Sequence, residues 1–141
     1  MVAANTAAGQ LATLGLTPSD ISHVILSHGH IDHVGSLPLF AHAPIVMTTT
    51  ERADPKPSYF GKARPIDWPD TTYHLIDADT PICDGLTLIP TPGHTPGCTS
   101  WSMTVQEDGA PREVLFLCSI TVAGNILVGN RAYPAIASDF R

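Results

Sequence analysis

Two short apolar runs separated by helix signals, Val24-Ile25-Leu26 and Pro44-Ile45-Val46-Met47-Thr48, constrain the architecture most. Each has the length and the β-branched content of a buried strand. Upstream, residues 4–14 are rich in helix formers and stop at Gly15, so a short helix is expected there. In Thr17-Pro18-Ser19-Asp20, Thr17 is placed to cap a further turn with Pro18 at its first position. The first strand is expected over His23-Val24-Ile25-Leu26-Ser27. Ser36 stands where it can cap a helix whose first turn tolerates Pro38, before the second strand at 44–48. This β-α-β rhythm predicts a layered α/β domain, and residues 1–141 are read as a single domain.

Farther on, the stretch from Glu51 to Asp70 holds four prolines and few apolar residues in register, which predicts a surface excursion between core strands. Strands are expected at Tyr73-His74-Leu75-Ile76 and Leu86-Thr87-Leu88-Ile89, with Asp84-Gly85 turning a hairpin between Ile82 and Leu86. Residues 99–105 and 114–118 flank the polar turn Gln106–Arg112 and read as a second antiparallel pair. No internal repeat or low-complexity tract interrupts them.

The 141 residues, 43% hydrophobic and 14% charged, suffice to bury roughly 70% of the surface an unfolded chain exposes. A net charge of −6, from 13 acidic against 7 basic residues, supplies no positive field for phosphate backbones or an anionic membrane surface. Nucleic-acid and membrane partners are therefore not expected. No apolar run approaches the ~18 to 20 residues of a bilayer span, and Met1-Val2-Ala3-Ala4-Asn5 lacks the basic start and apolar core of a leader. The expectation is a soluble chain, periplasmic or secreted if a leader lies upstream and cytoplasmic otherwise. Cys83, Cys98 and Cys118, odd in number and scattered, suggest neither a disulfide framework nor a CxxC zinc site, and are read as buried or idle thiols.

Chemistry concentrates in His28-Gly29-His30-Ile31-Asp32-His33, directly after the first apolar run. Three imidazoles and a carboxylate there are donors that a borderline cation such as Zn²⁺ prefers. Residues two apart on an extended chain point to one side, so His28 and His30 can grip one ion while Gly29 lets the backbone bend around it. Asp32 and His33 can serve a neighbouring position, about 3.5–4 Å away in paired-metal sites. Asp32 can also orient water or accept its proton. His94 sits between two Pro-Gly pairs in Thr91-Pro92-Gly93-His94-Thr95-Pro96-Gly97, a stiff turn well suited to mount a third nitrogen, leaving a fourth position for water. Zinc lowers the pKa of bound water to about 7. His23, His42 and His74 have no donor neighbours in sequence and are assigned structural roles.

Ser27-His28-Gly29-His30-Ile31-Asp32-His33-Val34-Gly35 resembles the His-x-His-x-Asp-His signature of the metallo-β-lactamase superfamily, and residues 91–97 resemble its second histidine turn. The resemblance implies a four-layer αβ/βα sandwich in which His28, His30 and His94 hold a first zinc while Asp32 and His33 contribute to a second. Residues 98–141, notably Cys98-Thr99-Ser100-Trp101 and the stretch 118–134, look like third-subclass metallo-β-lactamases, in which a serine, here Ser119, replaces a metal-bridging aspartate. Residues 14–97 look more like acyl-homoserine lactonases. The family's opening strands would precede residue 1 and its last zinc histidine would follow Arg141, so the chain is expected to be the middle of the fold, clipped at both ends, with an incomplete second zinc site.

The function expected is that of a zinc hydrolase that opens a strained cyclic amide, a β-lactam, by attack of zinc-bound hydroxide with Asp32 orienting the nucleophile or carrying its proton. An acyl-homoserine lactone is the alternative ring, and a zinc-binding chain without catalysis the alternative class. The partner expected is a small-molecule substrate. Oligomeric state is left open.

Overall fold

A computed structural model describes residues 6–54, 58–59, 62–63, 66 and 68–118. Helix α1 (Ala7–Thr13) begins at Thr6, whose hydroxyl accepts the Gly9 N–H at 3.0 Å, three residues later than the composition suggested. It ends where expected, because Gly15 takes φ +72°, a conformation that costs glycine nothing. Pro18–Asp20 forms a single 3₁₀ turn, held by Asp20 Oδ2, which accepts the Thr17 N–H and hydroxyl, each at 2.8 Å.

The expected β-α-β core is present, and its strands pair in parallel. Strands β1 (Val24–Ile25), β2 (Ile45–Thr48) and β5 (Tyr73–Ile76) make a three-stranded sheet in the order β1-β2-β5, both pairings parallel. Between β1 and β2 run the short helix α2 (Ile31–Val34) and a 3₁₀ turn over Leu37–Phe40. Ser36 precedes that turn but makes no side-chain cap. Strand β1 is shorter than the apolar run, since only two residues pair regularly before the chain bends into the histidine loop.

After β2 comes α3 (Thr49–Ala53), then a two-stranded ribbon of β3 (Ser58–Tyr59) and β4 (Lys62–Ala63) within the expected excursion. Trp68 then packs against the core beside Tyr73, and the Arg52 guanidinium lies 4.4 Å from the Tyr73 ring centre. Strands β6 (Thr80–Cys83), β7 (Leu86–Pro90), β8 (Thr99–Glu107) and β9 (Ala110–Phe116) form a four-stranded antiparallel sheet in sequence order. Gly85 at φ +77° closes the first hairpin as expected. The last two strands run longer than the sequence suggested, because Asp108 (φ 52°) and Gly109 (φ 78°) complete a two-residue turn that lets pairing continue to Glu107↔Ala110.

Alternation along β2 explains why all four of its residues are buried. Ile45 and Met47 face Leu26 and Leu37 on one side, with Val34 and Trp68 packed at the margin. Val46, on the other side, meets Ile76 and Leu88, flanked by Ile25, Ile82 and Trp101. The parallel sheet thus lies between a helical layer and the antiparallel sheet; β1 leads into the loop that carries His28 and His30, and β7 of the antiparallel sheet into the turn that carries His94. Among the described residues no helix is long and apolar enough to cross a membrane.

Candidate metal centre

At the carboxyl end of β1 the ladder continues to Leu26, whose N–H reaches Val46 O at 3.0 Å, and the chain then turns inward. His28 and His30 are each only 1% exposed. At the end of β7 the turn 91–97 closes on itself through Gly93 N–H to Thr95 O (2.9 Å) and Thr91 N–H to Cys98 O (2.8 Å). The Thr99 N–H then bonds Ser27 O at 2.8 Å, which locks the two loops together. His94 Nε2 lies 3.0 Å from His30 Nδ1 across 64 residues of sequence. Ring centres are 4.7 Å apart for His28 and His30, and 4.6 Å apart from His94 to each, with every pair nearly perpendicular.

One donor nitrogen from each of the three rings lies within 4.8 Å of the others, a set able to hold a metal ion. His28 Nε2 is buried and has no hydrogen-bond partner among the described residues. Leaving such a nitrogen unsatisfied is costly, and a cation at the centre of the three rings would satisfy it. Burial, reinforced by His33, His94 and His30, lowers the His28 pKa to about 2. Burial likewise lowers that of His94 to about 4, with His30 and His33 adding to the shift and Asp32 opposing it. Both rings are therefore neutral at pH 7, the form that coordinates metal. The donor set fits a borderline divalent ion.

Asp32 and His33 occupy the first turn of α2 with side chains 52% and 42% exposed, 3.6 Å apart. The His33 ring is 4.1 Å from that of His28, yet neither residue joins the buried set. Ser119 lies outside the described residues. Of the histidines given structural roles, His42 Nε2 lies 3.1 Å from Ile21 O, and the rings of His23 and His74 are 6.2 Å apart.

Sequence reasoning missed Glu51. Placed at the start of a surface excursion, it is instead 3% exposed. Its Oε1 accepts the N–H of Gly29, between the two loop histidines, at 2.6 Å. Its Oε2 accepts the Thr95 hydroxyl at 2.6 Å and the Gly97 N–H at 3.1 Å, so one carboxylate braces both histidine loops. The signal was Thr48-Thr49-Thr50-Glu51, a helix-capping pattern, and Thr48 does accept the Glu51 N–H at 3.1 Å. What the pattern could not show is that the carboxylate turns away from its own helix. Gly97 is required for the same contact, because a Cβ there would collide with the backbone of Glu51 and the hydroxyl of Thr48.

Cys98 is buried, as one of the two readings had it, but the assignment of Cys98 and Cys118 as thiols outside any disulfide is overturned: they form one, with Cα atoms 6.4 Å apart. Only tertiary pairing reveals this. The β8–β9 register that opposes Trp101 and Phe116 brings together the residues just outside each strand. Cys118 Sγ lies 3.4 Å from His28 Nδ1, which is also 3.0 Å from the Ser27 hydroxyl. Cys83 is free and exposed.

Comparison with known proteins agrees with this arrangement. Residues 3–107 match the model of the metallo-beta-lactamase superfamily. An N-acyl homoserine lactonase from a Bacillus species is 32% identical over 101 residues, covering 70% of this chain and 39% of the relative. The crystal structure of BJP-1, a subclass B3 metallo-beta-lactamase of Bradyrhizobium japonicum, superposes with a TM-score of 0.69 at 34% identity, covering 95% of this chain and 55% of that one. An N-acyl homoserine lactone hydrolase, solved with the product N-hexanoyl-L-homoserine at its catalytic metal centre, gives 0.66 at 28% identity, covering 82% of this chain and 44% of that one. The chain therefore spans about 40% to 55% of the length of these relatives. With two histidine loops meeting beside a parallel sheet, and residues 3–107, most of this chain, matching the family's model, the chain belongs to the metallo-beta-lactamase superfamily.

Proposed function

We propose that the chain carries the zinc site of a hydrolase that opens a small cyclic amide, a β-lactam. The observation that carries this reading is the convergence of His28 and His30, both buried, with the partly buried His94 as closely set imidazoles, two of the three with their pKa values lowered by burial. These three side chains would hold the ion, which when bound supplies a Lewis acid and acidifies water. Asp32, half-exposed in the first turn of α2, would orient the attacking water and accept its proton. Glu51 keeps the two loops at a fixed separation. Asp32 and His33 are the residues available to a second ion.

Support for a β-lactam comes from the solved subclass B3 enzyme, 34% identical over nearly the whole chain. A lactone is the second reading, favoured by the 32% identity to the Bacillus lactonase. The test is parallel turnover of a chromogenic β-lactam and an acyl-homoserine lactone by the zinc-loaded chain and by His30→Ala, with zinc counted in both. Turnover of the β-lactam, lost together with zinc in the variant, is the expected result. Lactone turnover alone transfers the assignment to the second reading. Zinc binding with no turnover of either substrate refutes catalysis by this chain, and an active, metal-free variant refutes the metal mechanism.

A further inference from the structure

His28 faces two donor sets at once. One nitrogen belongs to the three-histidine cluster, while Nδ1 lies 3.4 Å from Cys118 Sγ. His28, Cys98 and Cys118 form a second group whose ligand atoms all lie within 4.8 Å of one another. His28 and Cys98 are each 1% exposed, and Cys118 is half-buried. The disulfide occupies both sulfurs. We infer that reduction of Cys98–Cys118 creates a site for a soft divalent cation, built from two thiolates and His28 Nδ1, that competes with the three-histidine centre for the same ring.

The chemistry balances. A dithiol gives two electrons and two protons to the S–S bond, which breaks into two thiols as the dithiol closes to its own disulfide; a phosphine gives the two electrons, while water supplies the two protons and passes its oxygen to the phosphine oxide. On metal binding the two sulfurs release those protons to water, and the ring proton moves from Nδ1 to Nε2. Two sulfurs and an imidazole are a donor set for Zn²⁺, Cd²⁺ or other soft ions. Competition follows because a neutral imidazole offers one lone pair in the ring plane, so it coordinates through Nδ1 or Nε2 but not both. Oxidised, the chain presents three nitrogens to one ion; reduced, it can move that ion to sulfur and dismantle the cluster. The thiolate site stands on the geometry around Nδ1, whereas the competition rests on the three-histidine reading.

Cadmium titrated into the full chain tests this, in a Cys83→Ser background that removes the exposed thiol. The expected result is a thiolate-to-cadmium charge-transfer absorption in the phosphine-reduced chain, and none in the oxidised chain or in Cys98→Ser. Absence of the band after reduction, or a band of equal strength in Cys98→Ser, overturns the proposal. Thiols of an unfolded chain would bind cadmium without the ring, so an undiminished band in reduced His28→Ala overturns it as well. Cadmium content should not rise on reduction; a gain of one ion per chain over the oxidised chain overturns the competition. Failure of hydrolysis would leave the absorption band unaffected, so the two readings fail separately.

Discussion

The two halves of the His28–His33 segment differ sharply although they are adjacent in sequence. His28 and His30 are sealed in, each 1% exposed, with Gly29 between them anchored to Glu51. Asp32 and His33, one turn later, stand half in solvent and pair loosely with each other at 3.6 Å. The boundary is His30, where extended backbone (ψ 149°) gives way to helix α2. Extended chain holds its side chains in the inter-loop space, whereas the helical turn rotates the next pair toward the surface. A dense motif therefore makes one rigid set of donors and one adaptable pair.

Removing the third imidazole, which completes the cluster around the rigid pair, should have the largest effect. His94→Ala is expected to weaken zinc binding more than ~100-fold, beyond the range typical of supporting residues, as measured by competition with a chromophoric chelator. If the affinity is unchanged, the three-histidine cluster is not the metal centre. Glu51→Gln comes next, because one amide oxygen cannot accept from Gly29, Thr95 and Gly97 as two carboxylate oxygens do. Zinc affinity should fall about 10- to 100-fold, with a loss of ~1–3 kcal/mol in denaturant unfolding from the stranded donors. Equal stability and affinity to the parent would mean that the brace is dispensable.

Acid should expose the same contrast more gently. The His28 and His94 pKa values fall from 6.5 in the unfolded chain to about 2 and about 4 in the folded one. Between those limits the unfolded chain binds more protons. The metal-free fold therefore loses stability as pH drops below 6.5 and gains nothing from these groups above it. Urea midpoints followed from neutral pH to about 4.5 should decline, and a flat profile would contradict burial of neutral rings. The smallest effect is expected at the exposed pair: Asp32→Asn should change unfolding free energy by no more than ~0.5 kcal/mol while lowering turnover. A large stability loss would show that Asp32 is structural, contrary to its exposure.

Much of this was legible in the residues because local patterns and tertiary packing agree. Alternation of apolar runs with helix stops located β1, β2, β5 and both hairpins, and the Pro-Gly pairs around His94 marked a rigid turn. Ends were less legible. Strand β1 stops early because the chain must bend to bury His28, and β8 and β9 run on because Asp108-Gly109 accommodates continued pairing. Glu51 was misread because its polarity and the prolines after it resemble a solvated loop, and a carboxylate is buried only where enough donors converge from elsewhere.

The sequence alone determined the inventory: which side chains can hold a metal, which segments must be strands, and that His28 and His30 act from one side of the chain. Those properties depend on residue type and on spacings of a few positions, which local geometry dictates. Tertiary structure alone decided that His94 meets His30 at 3.0 Å, that Glu51 ties both loops, and that Cys98 bonds Cys118 beside His28. Each of those contacts joins residues 20 or more positions apart. Their meeting is set by strand register and by the packing of two sheets, quantities that no short stretch of chain contains.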